Sequence, residues 1–267
     1  MTTEELRKQI EEVCDKEIDC HNQLPNRDTI IKCLREIQAL LLPSYFSYDN
    51  LSFEELLDDI KVDLEMEIGK SLMLHNDERI PLEVVDAFIE KLPEIKRITL
   101  TDIQAIYDGD PAAKSKQEVI ICYPGFYAIF IYRIAHVFYQ LNIPIIPRVM
   151  SEYVHNKTGI DINPGATIGE YFCIDHGTGV VIGETSIIGD HVKLYQGVTI
   201  GAKSFKMDEN GFPVKGGKRH PNIGNNVVIY ANATILGGDT TIEDNVIIGG
   251  NSWITSSVES GAKIVTE

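Results

Sequence analysis

An aliphatic residue returns at every sixth position in the second half of the chain, starting just after Asp161. A small or apolar residue recurs four positions after most of these aliphatics, and glycine often follows them directly. Two inward positions in every six predict a parallel β-helix with three flat faces, because each face then holds one short strand. The repeating aliphatics are Ile162, Ile168, Ile174, Val180, Ile182, Ile188, Leu194, Ile200, Ile223, Ile229, Ile235, Ile242, Ile248 and Ile254.

The first half of the chain has a helical period instead. Within residues 1–150, apolar residues return at intervals of three and four, which predicts several helices joined by short polar links. Ser52 with Glu55, and Ser115 with Glu118, have the spacing of capping boxes. We therefore expect a separate α-helical domain here, with helices that begin after both serines.

One break interrupts the hexapeptide repeat, between Ile200 and Ile223. It predicts a loop at about 202–222 that leaves the coil, within a β-helical domain at 151–267. The fold class is therefore α+β: a helical domain, then a β-helix with one extruded loop. The loop contains the stretch "GGKRHP" and is basic on an acidic chain, which favours an anion-binding function. Its basic residues are Lys203, Lys206, Lys215, Lys218 and Arg219, against Asp208 and Glu209.

Composition argues against several kinds of partner and compartment. Forty acidic and 24 basic side chains give a formal net charge of −16, which disfavours a nucleic-acid-binding or acidic-membrane-binding surface. The cysteines form no CxxC pair or metal-ligand spacing, and their odd number suits a reducing compartment. We interpret them as ordinary thiols. They are Cys14, Cys20, Cys33, Cys122 and Cys173.

Nothing in the sequence indicates export or membrane insertion. The N-terminal stretch "MTTEELRKQIEE" is charged and lacks the apolar core of a signal peptide. The most apolar window, 119–138, is interrupted by Pro124, Gly125, Arg133 and His136, so we expect a buried helix there. The predicted location is the cytoplasm, with no membrane partner.

The stretch "CIDHGTG" places an acid and an imidazole, Asp175 and His176, directly after the inward Ile174. These positions fall on a turn between strands, so both side chains are expected to project outward. Asp161 lies 15 residues earlier, close to one coil of about 18 residues, and can therefore lie near His176. A carboxylate that orients an imidazole is what a general base requires.

The motifs "DINPGATIGEYFCIDHGTGVVIGET", "GVTIGA" and "KRHP" resemble those of serine O-acetyltransferase, the family that makes O-acetylserine for cysteine synthesis. Upstream, "GDPAA" and "YPGFYAIFIYRIAH" resemble the end of that family's helical domain. The similarity runs from about Asp108 to Ile254. It implies a left-handed β-helix, since hexapeptide proteins have this hand, and an acetyl transfer from acetyl-CoA to L-serine.

The resemblance also implies roles for residues that match the family motifs. His176 would be the general base that takes the serine hydroxyl proton, and Asp161 would hold the imidazole in the required tautomer. Asp110 and Asp175 would bind the serine ammonium. Arg219 would pair with the serine carboxylate.

Further roles concern the acyl donor and the developing oxyanion. His220 would contact serine or the oxyanion. Gly201, Ala202 and Ala231 would face the pantetheine arm, where small residues allow close approach. Lys218 could contact a phosphate. Direct transfer in a ternary complex is expected, with no metal and no acyl-enzyme nucleophile.

The sequence departs from the family pattern in three places. Asn163 stands where the family usually has His, the loop before "KRHP" is longer than the common version, and the chain stops at "GAKIVTE". Many relatives continue with a tail ending in Ile that enters the active site of O-acetylserine sulfhydrylase, so that partnership is left open. The resemblance further implies a homo-oligomer, at least a trimer with hexamer left open, and feedback inhibition by L-cysteine.

Three other functions are compatible with parts of this sequence. A hexapeptide acyltransferase could act on a sugar or an antibiotic, but two acids with Arg219 suit a zwitterionic amino acid better. A γ-class carbonic anhydrase needs three histidines on zinc, and the only candidates within the β-helix are His176, His191 and His220. A non-catalytic β-helix scaffold would have no need of Asp161 and His176 together with Arg219 and His220.

Overall fold

A computed structural model describes residues 1–13, 24–48 and 51–265. Cys14 and Cys20 lie outside these ranges. In the described residues, helices occupy the first part of the chain and short strands the rest. The helices are α1 (Thr3–Glu12), α2 (Arg27–Leu41), α3 (Phe53–Leu74), α4 (Pro81–Ile89), α5 (Leu92–Gly109), α6 (Lys116–Cys122), α7 (Pro124–Gln140) and α8 (Ile146–Thr158).

The two predicted capping boxes differ in outcome. At the start of α3, the Ser52 hydroxyl accepts from the Glu55 N–H and the Glu55 carboxylate accepts from the Ser52 N–H, so the box is confirmed. At the start of α6, the Ser115 hydroxyl accepts from the Glu118 N–H. The Glu118 carboxylate, however, accepts from the N–H of Lys114, so only half of the box forms.

The apolar window at 119–138 is two helices and not one. Pro124 occupies the first turn of α7, where its missing N–H costs nothing, and α6 meets α7 at a 75° bend. Most of α7 is buried, as predicted for this window. In the described ranges, no single helix is long and apolar enough to cross a membrane. The bent pair of α6 and α7 reaches that length and apolar composition only when the two helices are taken together.

The strands follow α8 and are two or three residues long. They are β1 (Asp161–Ile162), β2 (Thr167–Ile168), β3 (Cys173–Ile174), β4 (Val181–Ile182), β5 (Ile187–Ile188), β6 (Lys193–Leu194), β7 (Thr199–Gly201), β8 (Asn222–Ile223), β9 (Val228–Ile229), β10 (Thr234–Leu236), β11 (Thr241–Ile242), β12 (Ile247–Ile248), β13 (Trp253–Ile254) and β14 (Lys263–Ile264).

Up to β13, every third strand belongs to the same parallel sheet, so the chain winds around three faces; β14 then pairs with β12. The first sheet has the order β1-β4-β7-β10-β13, the second β2-β5-β8-β11 and the third β3-β6-β9-β12-β14. This is the predicted parallel β-helix. Helix α8 crosses residue 150, and the strands begin at Asp161, where the helical period ends in the sequence.

The predicted inward aliphatics form the core of the coil, with one change in their assignment. Val180 is fully buried but precedes β4, whose inward residue is Ile182. The turn that contains "DHGTG" holds two extra residues, so Val180 takes the companion position two residues before Ile182, as Val192 does before Leu194. Ile264 in β14 extends the third sheet beyond the repeat found in the sequence.

Helix α7 attaches the helical part to the β-helix through a buried ion pair. The Arg133 guanidinium contacts the Asp102 carboxylate of α5 at 3.0 Å and also donates to the carbonyls of Ile168 and Gly169. Asp102 in turn accepts from the N–H of Phe172. A buried charge is stable only when paired and hydrogen-bonded, and this network meets that condition. It fixes α5 and α7 against the first coil.

The three edges of the β-helix are where the chain turns from one sheet to the next. Two of them matter for function. We call the edge at 175–180, 195–198, 230–233 and 249–252 the His176 edge, where the third sheet leads into the first. We call the edge at 163–166, 183–186, 202–221 and 237–240 the loop edge, where the first sheet leads into the second.

The extruded loop leaves the coil between β7 and β8, as predicted, and folds into a small hairpin. Met207 and Pro213 form an antiparallel bridge, and the Val214 N–H donates to the Lys206 carbonyl at 2.8 Å. The Asp208 carboxylate closes the tip by accepting backbone N–H groups.

Candidate active site

His176 lies on a strained turn directly after β3. Its φ is 58°, in the left-handed region that few non-glycine residues adopt. Gly177 follows with φ 89°, and a Cβ there would meet the Ile160 side chain at 2.5 Å, so only glycine fits. The turn thereby presents the imidazole to solvent: the His176 side chain is 71% exposed and that of Asp175 only 13%.

The His176 ring is accompanied by the acid that precedes it. Its Nε2 lies 3.8 Å from Oδ1 of Asp175. Asp161 is placed differently: its carboxylate lies within 4.8 Å of ligand atoms of Glu152 and His155 on α8. Among the described residues, no hydrogen bond or ion pair joins Asp161 to His176.

Asp110 comes to the same edge from the helical domain. It caps the C-terminus of α5, and its Oδ2 accepts from the Tyr123 hydroxyl at 2.6 Å while Oδ1 accepts from the Ala112 N–H at 2.8 Å. The Tyr123 hydrogen bond, with help from the Ala112 N–H and the nearby charges of Lys193 and His176, lowers the pKa of Asp110. Asp110 is therefore an anion beside the exposed imidazole.

Lys193 is a member of this cluster that the sequence analysis did not select. Its Nζ lies 3.2 Å from Oδ2 of Asp175 and donates to the Gly109 carbonyl at 2.6 Å. Tyr123 was also missed. The resemblance quoted both "GDPAA" and "YPGF", but nothing in either motif says that their side chains meet.

Arg219 and His220 lie on the loop edge, away from His176 in the same chain. The Arg219 guanidinium pairs with the Glu184 carboxylate, which also accepts from the Tyr139 hydroxyl of α7 at 3.1 Å. Burial alone would raise the pKa of Glu184, but the Arg219 and Tyr139 hydrogen bonds outweigh it and lower the pKa. Glu184 belongs to the "GVVIGET" motif, so a signal for it was present in the sequence.

His220 is held rigidly beneath the loop. Its Nδ1 accepts from the N–H of Thr185 at 3.0 Å, and its ring fills the space that a side chain at Gly183 would need. Burial and, to a smaller extent, the neighbouring positive charge of Arg219 lower the pKa of His220 to about 4. The imidazole is therefore neutral at physiological pH, and Nε2 is the nitrogen that carries its proton, because Nδ1 accepts.

The residues expected to face the acyl donor divide between the two edges. Gly201 and Ala202 lead into the loop edge, and Lys218 donates to the Thr185 carbonyl and to Asn222 Oδ1, both at 2.6 Å. Burial lowers the pKa of Lys218. Ala231 lies on the His176 edge, after β9.

A cavity of about 790 Å³ lies between the loop and the coil. Its lining carries four cationic side chains against one acid, Asp239, together with the apolar Phe205 and Val214, and this charge balance suits an anionic ligand. The lining residues include Lys203, Lys206, Lys218, Arg219, Gly237 and Gly238.

Metal-ligand groupings occur in the described residues outside this site. Cys33, Glu36 and Asp63 place ligand atoms within 4.8 Å of one another between α2 and α3. The Lys32 ammonium already lies 2.7 Å from Asp63 and 3.1 Å from Glu36. One ammonium thus offsets part of the charge of the two acids, and burial raises the pKa of the Cys33 thiol, which keeps it protonated.

Comparison with known proteins identifies relatives of this chain. The family described as "Serine acetyltransferase, N-terminal" matches residues 37–130. A plasmid-encoded serine acetyltransferase of Synechococcus elongatus is 45% identical over 260 residues, covering 90% of this chain and 81% of that protein.

Two solved structures show the same fold. Serine acetyltransferase isoform 3 of Entamoeba histolytica, in complex with cysteine, superposes with a TM-score of 0.77 at 36% identity, covering 98% of this chain and 90% of that one. A Brucella abortus serine acetyltransferase in complex with coenzyme A gives a TM-score of 0.63 at 25% identity, covering 89% and 79%.

The parallel β-helix, its exposed imidazole on one edge and its basic loop on another define an acyltransferase of the hexapeptide-repeat class. The 45% identity over nine tenths of the chain then settles the family. The chain belongs to the serine acetyltransferases.

Proposed function

We propose that the protein transfers the acetyl group of acetyl-CoA to the hydroxyl of L-serine, giving O-acetylserine and CoA for cysteine biosynthesis. The observation that carries this proposal is the cluster of Asp110, Asp175 and the exposed His176 on one edge. A cationic ammonium suits the two acids, and an alcohol suits a neighbouring base.

The reaction needs one base and one hydrogen-bond donor for the developing negative charge. His176 takes the hydroxyl proton as the serine oxygen attacks the thioester carbonyl carbon, which gives a tetrahedral oxyanion. His220, neutral with its proton on Nε2, is the proposed donor to that oxyanion. The intermediate collapses by breaking the carbon–sulfur bond, and the imidazolium returns its proton to the CoA sulfur. Proton transfers of this kind typically contribute about 10²- to 10⁴-fold in rate.

Orientation of the imidazole is assigned to Asp161, as the resemblance implies, with Asp175 beside Nε2. Arg219 is assigned to the serine carboxylate. It must exchange its pairing with Glu184 for the substrate, and bidentate geometry makes arginine suited to this.

We propose that a complete site forms between two chains of a homotrimer. The ammonium-binding acids and His176 lie on one edge, and Arg219 and His220 lie on another. Each chain would therefore contribute one half to each of two sites. The first sheet forms the flat face between these edges and exposes apolar side chains, which favours packing of one coil against the next. These residues include Val181 and Trp253.

Coenzyme A is proposed to lie between the same two edges, with Gly201, Ala202 and Ala231 along the pantetheine and Lys218 near a phosphate. L-Cysteine, which is bound in the Entamoeba histolytica structure, is proposed as a competitive inhibitor in the serine site, because it shares serine's ammonium and carboxylate. A reducing cytoplasm, suited to the cysteine content, is the proposed location.

The test is an acceptor panel with purified protein and acetyl-CoA. We expect release of the CoA thiol with L-serine, and much less with homoserine, a galactoside, chloramphenicol or no acceptor. L-Cysteine should inhibit by raising the KM for serine. Turnover with a sugar or antibiotic alone would keep the fold and the base but remove the roles given to Asp110, Asp175 and Arg219.

A further inference from the structure

Lys193 occupies an outward-facing position of the third sheet, next to Cys173 of the preceding coil. Outward positions of the repeat commonly face solvent, as does that of Lys263 on the same sheet. The Lys193 side chain is only 16% exposed because α5 ends against this part of the sheet. A half-buried ammonium needs partners, so its contacts indicate what it does.

The ammonium has three kinds of partner. It donates to the Gly109 carbonyl at 2.6 Å, lies 3.2 Å from Oδ2 of Asp175, and sits 4.5 Å from the centre of the Tyr195 ring. The Tyr195 ring is itself stacked on Tyr230, at 5.0 Å between centroids. The cation is therefore held in a defined place by the helical domain, the His176 turn and an aromatic face.

Gly109 is the last residue of α5, and Asp110 follows it. Carbonyl groups in the last turn of a helix lack intrahelical partners, and a lysine there is favourable both as a donor and toward the helix dipole. One ammonium thus ties the backbone that carries Asp110 to the side chain of Asp175. These two acids come from different domains, and the charge of Lys193 acts on both.

Charge gives a second reason for a cation at this point. Two carboxylates that face one ligand repel each other, and this repulsion favours either separation or protonation of one of them. The positive charge of Lys193 offsets one of the two negative charges. The cluster then keeps a single net negative charge, which the ammonium of an amino acid would balance.

We propose that Lys193 is a positioning residue for the acceptor's ammonium, because it sets the spacing of Asp110 and Asp175 and offsets their mutual repulsion. This inference rests on the proposed function. It assigns the specificity for an amino-group acceptor partly to a residue that contacts neither the acceptor hydroxyl nor acetyl-CoA.

The test compares Lys193→Met, which keeps the length of the side chain, with Lys193→Arg, which keeps the charge. For Lys193→Met, the KM for L-serine and its Kd from calorimetry should both rise about 10- to 100-fold, as expected for loss of charge-assisted contacts. The KM for acetyl-CoA should stay within about twofold, which separates positioning of the acceptor from general damage. Lys193→Arg should recover most of the affinity for serine.

Lys263→Met is the matched control, because it removes an exposed lysine from the same sheet, and it should leave all three constants unchanged. Unchanged serine affinity in Lys193→Met would overturn the inference. So would an equal loss of affinity for both substrates, or Lys193→Arg behaving like Lys193→Met. Failure of the proposed function looks different: the unmodified protein would then neither bind L-serine nor form O-acetylserine.

Discussion

The Nε2 atom of His176 lies 3.8 Å from Oδ1 of Asp175, yet the imidazole is largely in solvent and the carboxylate is largely covered. The turn between β3 and β4 produces this contrast, because left-handed backbone at His176 directs its side chain away from the coil. Asp175 meanwhile turns toward Lys193. A rigid coil thus supports a reactive side chain without placing it in the core.

Replacing His176 with Asn should lower kcat by about 10²- to 10⁴-fold, the range expected for loss of a general base. The fold should persist because the side chain is exposed and Asn tolerates left-handed backbone. The measurement is steady-state turnover with L-serine, alongside thermal unfolding. A folded variant with nearly normal turnover would remove His176 from the mechanism.

Replacing Arg219 with Ala should raise the KM for L-serine much more than the KM for acetyl-CoA, because the variant loses the partner of the serine carboxylate. Arg7→Ala breaks an exposed Arg–Glu pair on α1 and serves as the control. If Arg219→Ala changes both KM values equally, Arg219 does not belong to the serine site.

If the site spans two chains, inactive variants should complement each other. His176→Asn carries an intact loop edge, and Arg219→Ala carries an intact His176 edge. Co-assembled at equal amounts, about one quarter of the sites would combine two intact halves in a closed ring. Turnover at low serine should therefore rise well above that of either variant alone; additive activity would place the whole site within one chain.

The lowered pKa of His220 makes stability depend on pH. The unfolded chain binds a proton on this histidine below its ordinary pKa of about 6.5, whereas the folded chain does so only near 4. The free energy of unfolding should therefore fall as the pH decreases from about 6.5 to 4.

Denaturant unfolding across this pH window, for the unmodified chain and His220→Asn, measures the effect. The variant should show a weaker dependence on pH than the unmodified chain. An equal pH dependence in both proteins would contradict the assignment.

Gly125 in the first turn of α7 sets the contact between that helix and the His176 turn. A Cβ at this position would lie 2.2 Å from the Ile174 carbonyl oxygen, so Gly125→Ala should push α7 off β3 and lower the Tm by several degrees. Gly69→Ala in α3 meets only ordinary contacts and should be neutral or stabilising, by up to about 1 kcal/mol. Equal Tm values for both variants would show that α7 does not depend on this close approach.

The period of six was sufficient to predict the strands and the outward turn at His176. It took Val180 for a strand residue, whereas the longer turn shifts Val180 to the buried companion position two residues before Ile182. It missed Ile264 because the sequence before β14 does not continue the repeat. Local periodicity reports which side of the coil a residue faces, and it loses register wherever a turn changes length.

The contacts that complete the site were beyond sequence reasoning for a different reason. Lys193 donates a hydrogen bond to Gly109, which is 84 positions away in the sequence, and Tyr139 donates one to Glu184, which is 45 positions away. Both contacts depend on how the helical domain packs against the β-helix. No pattern within either half of the chain encodes that packing, although the resemblance drew attention to the motifs that contain Glu184 and Asp110.

The most direct measurement is mass detection of the product from L-serine and acetyl-CoA that carries an isotopically labelled acetyl group. The account predicts labelled O-acetylserine in amounts equal to the CoA released, with little formed by the folded His176→Asn variant. Release of CoA without labelled O-acetylserine, or no release with a folded protein, would contradict the proposed transfer to serine.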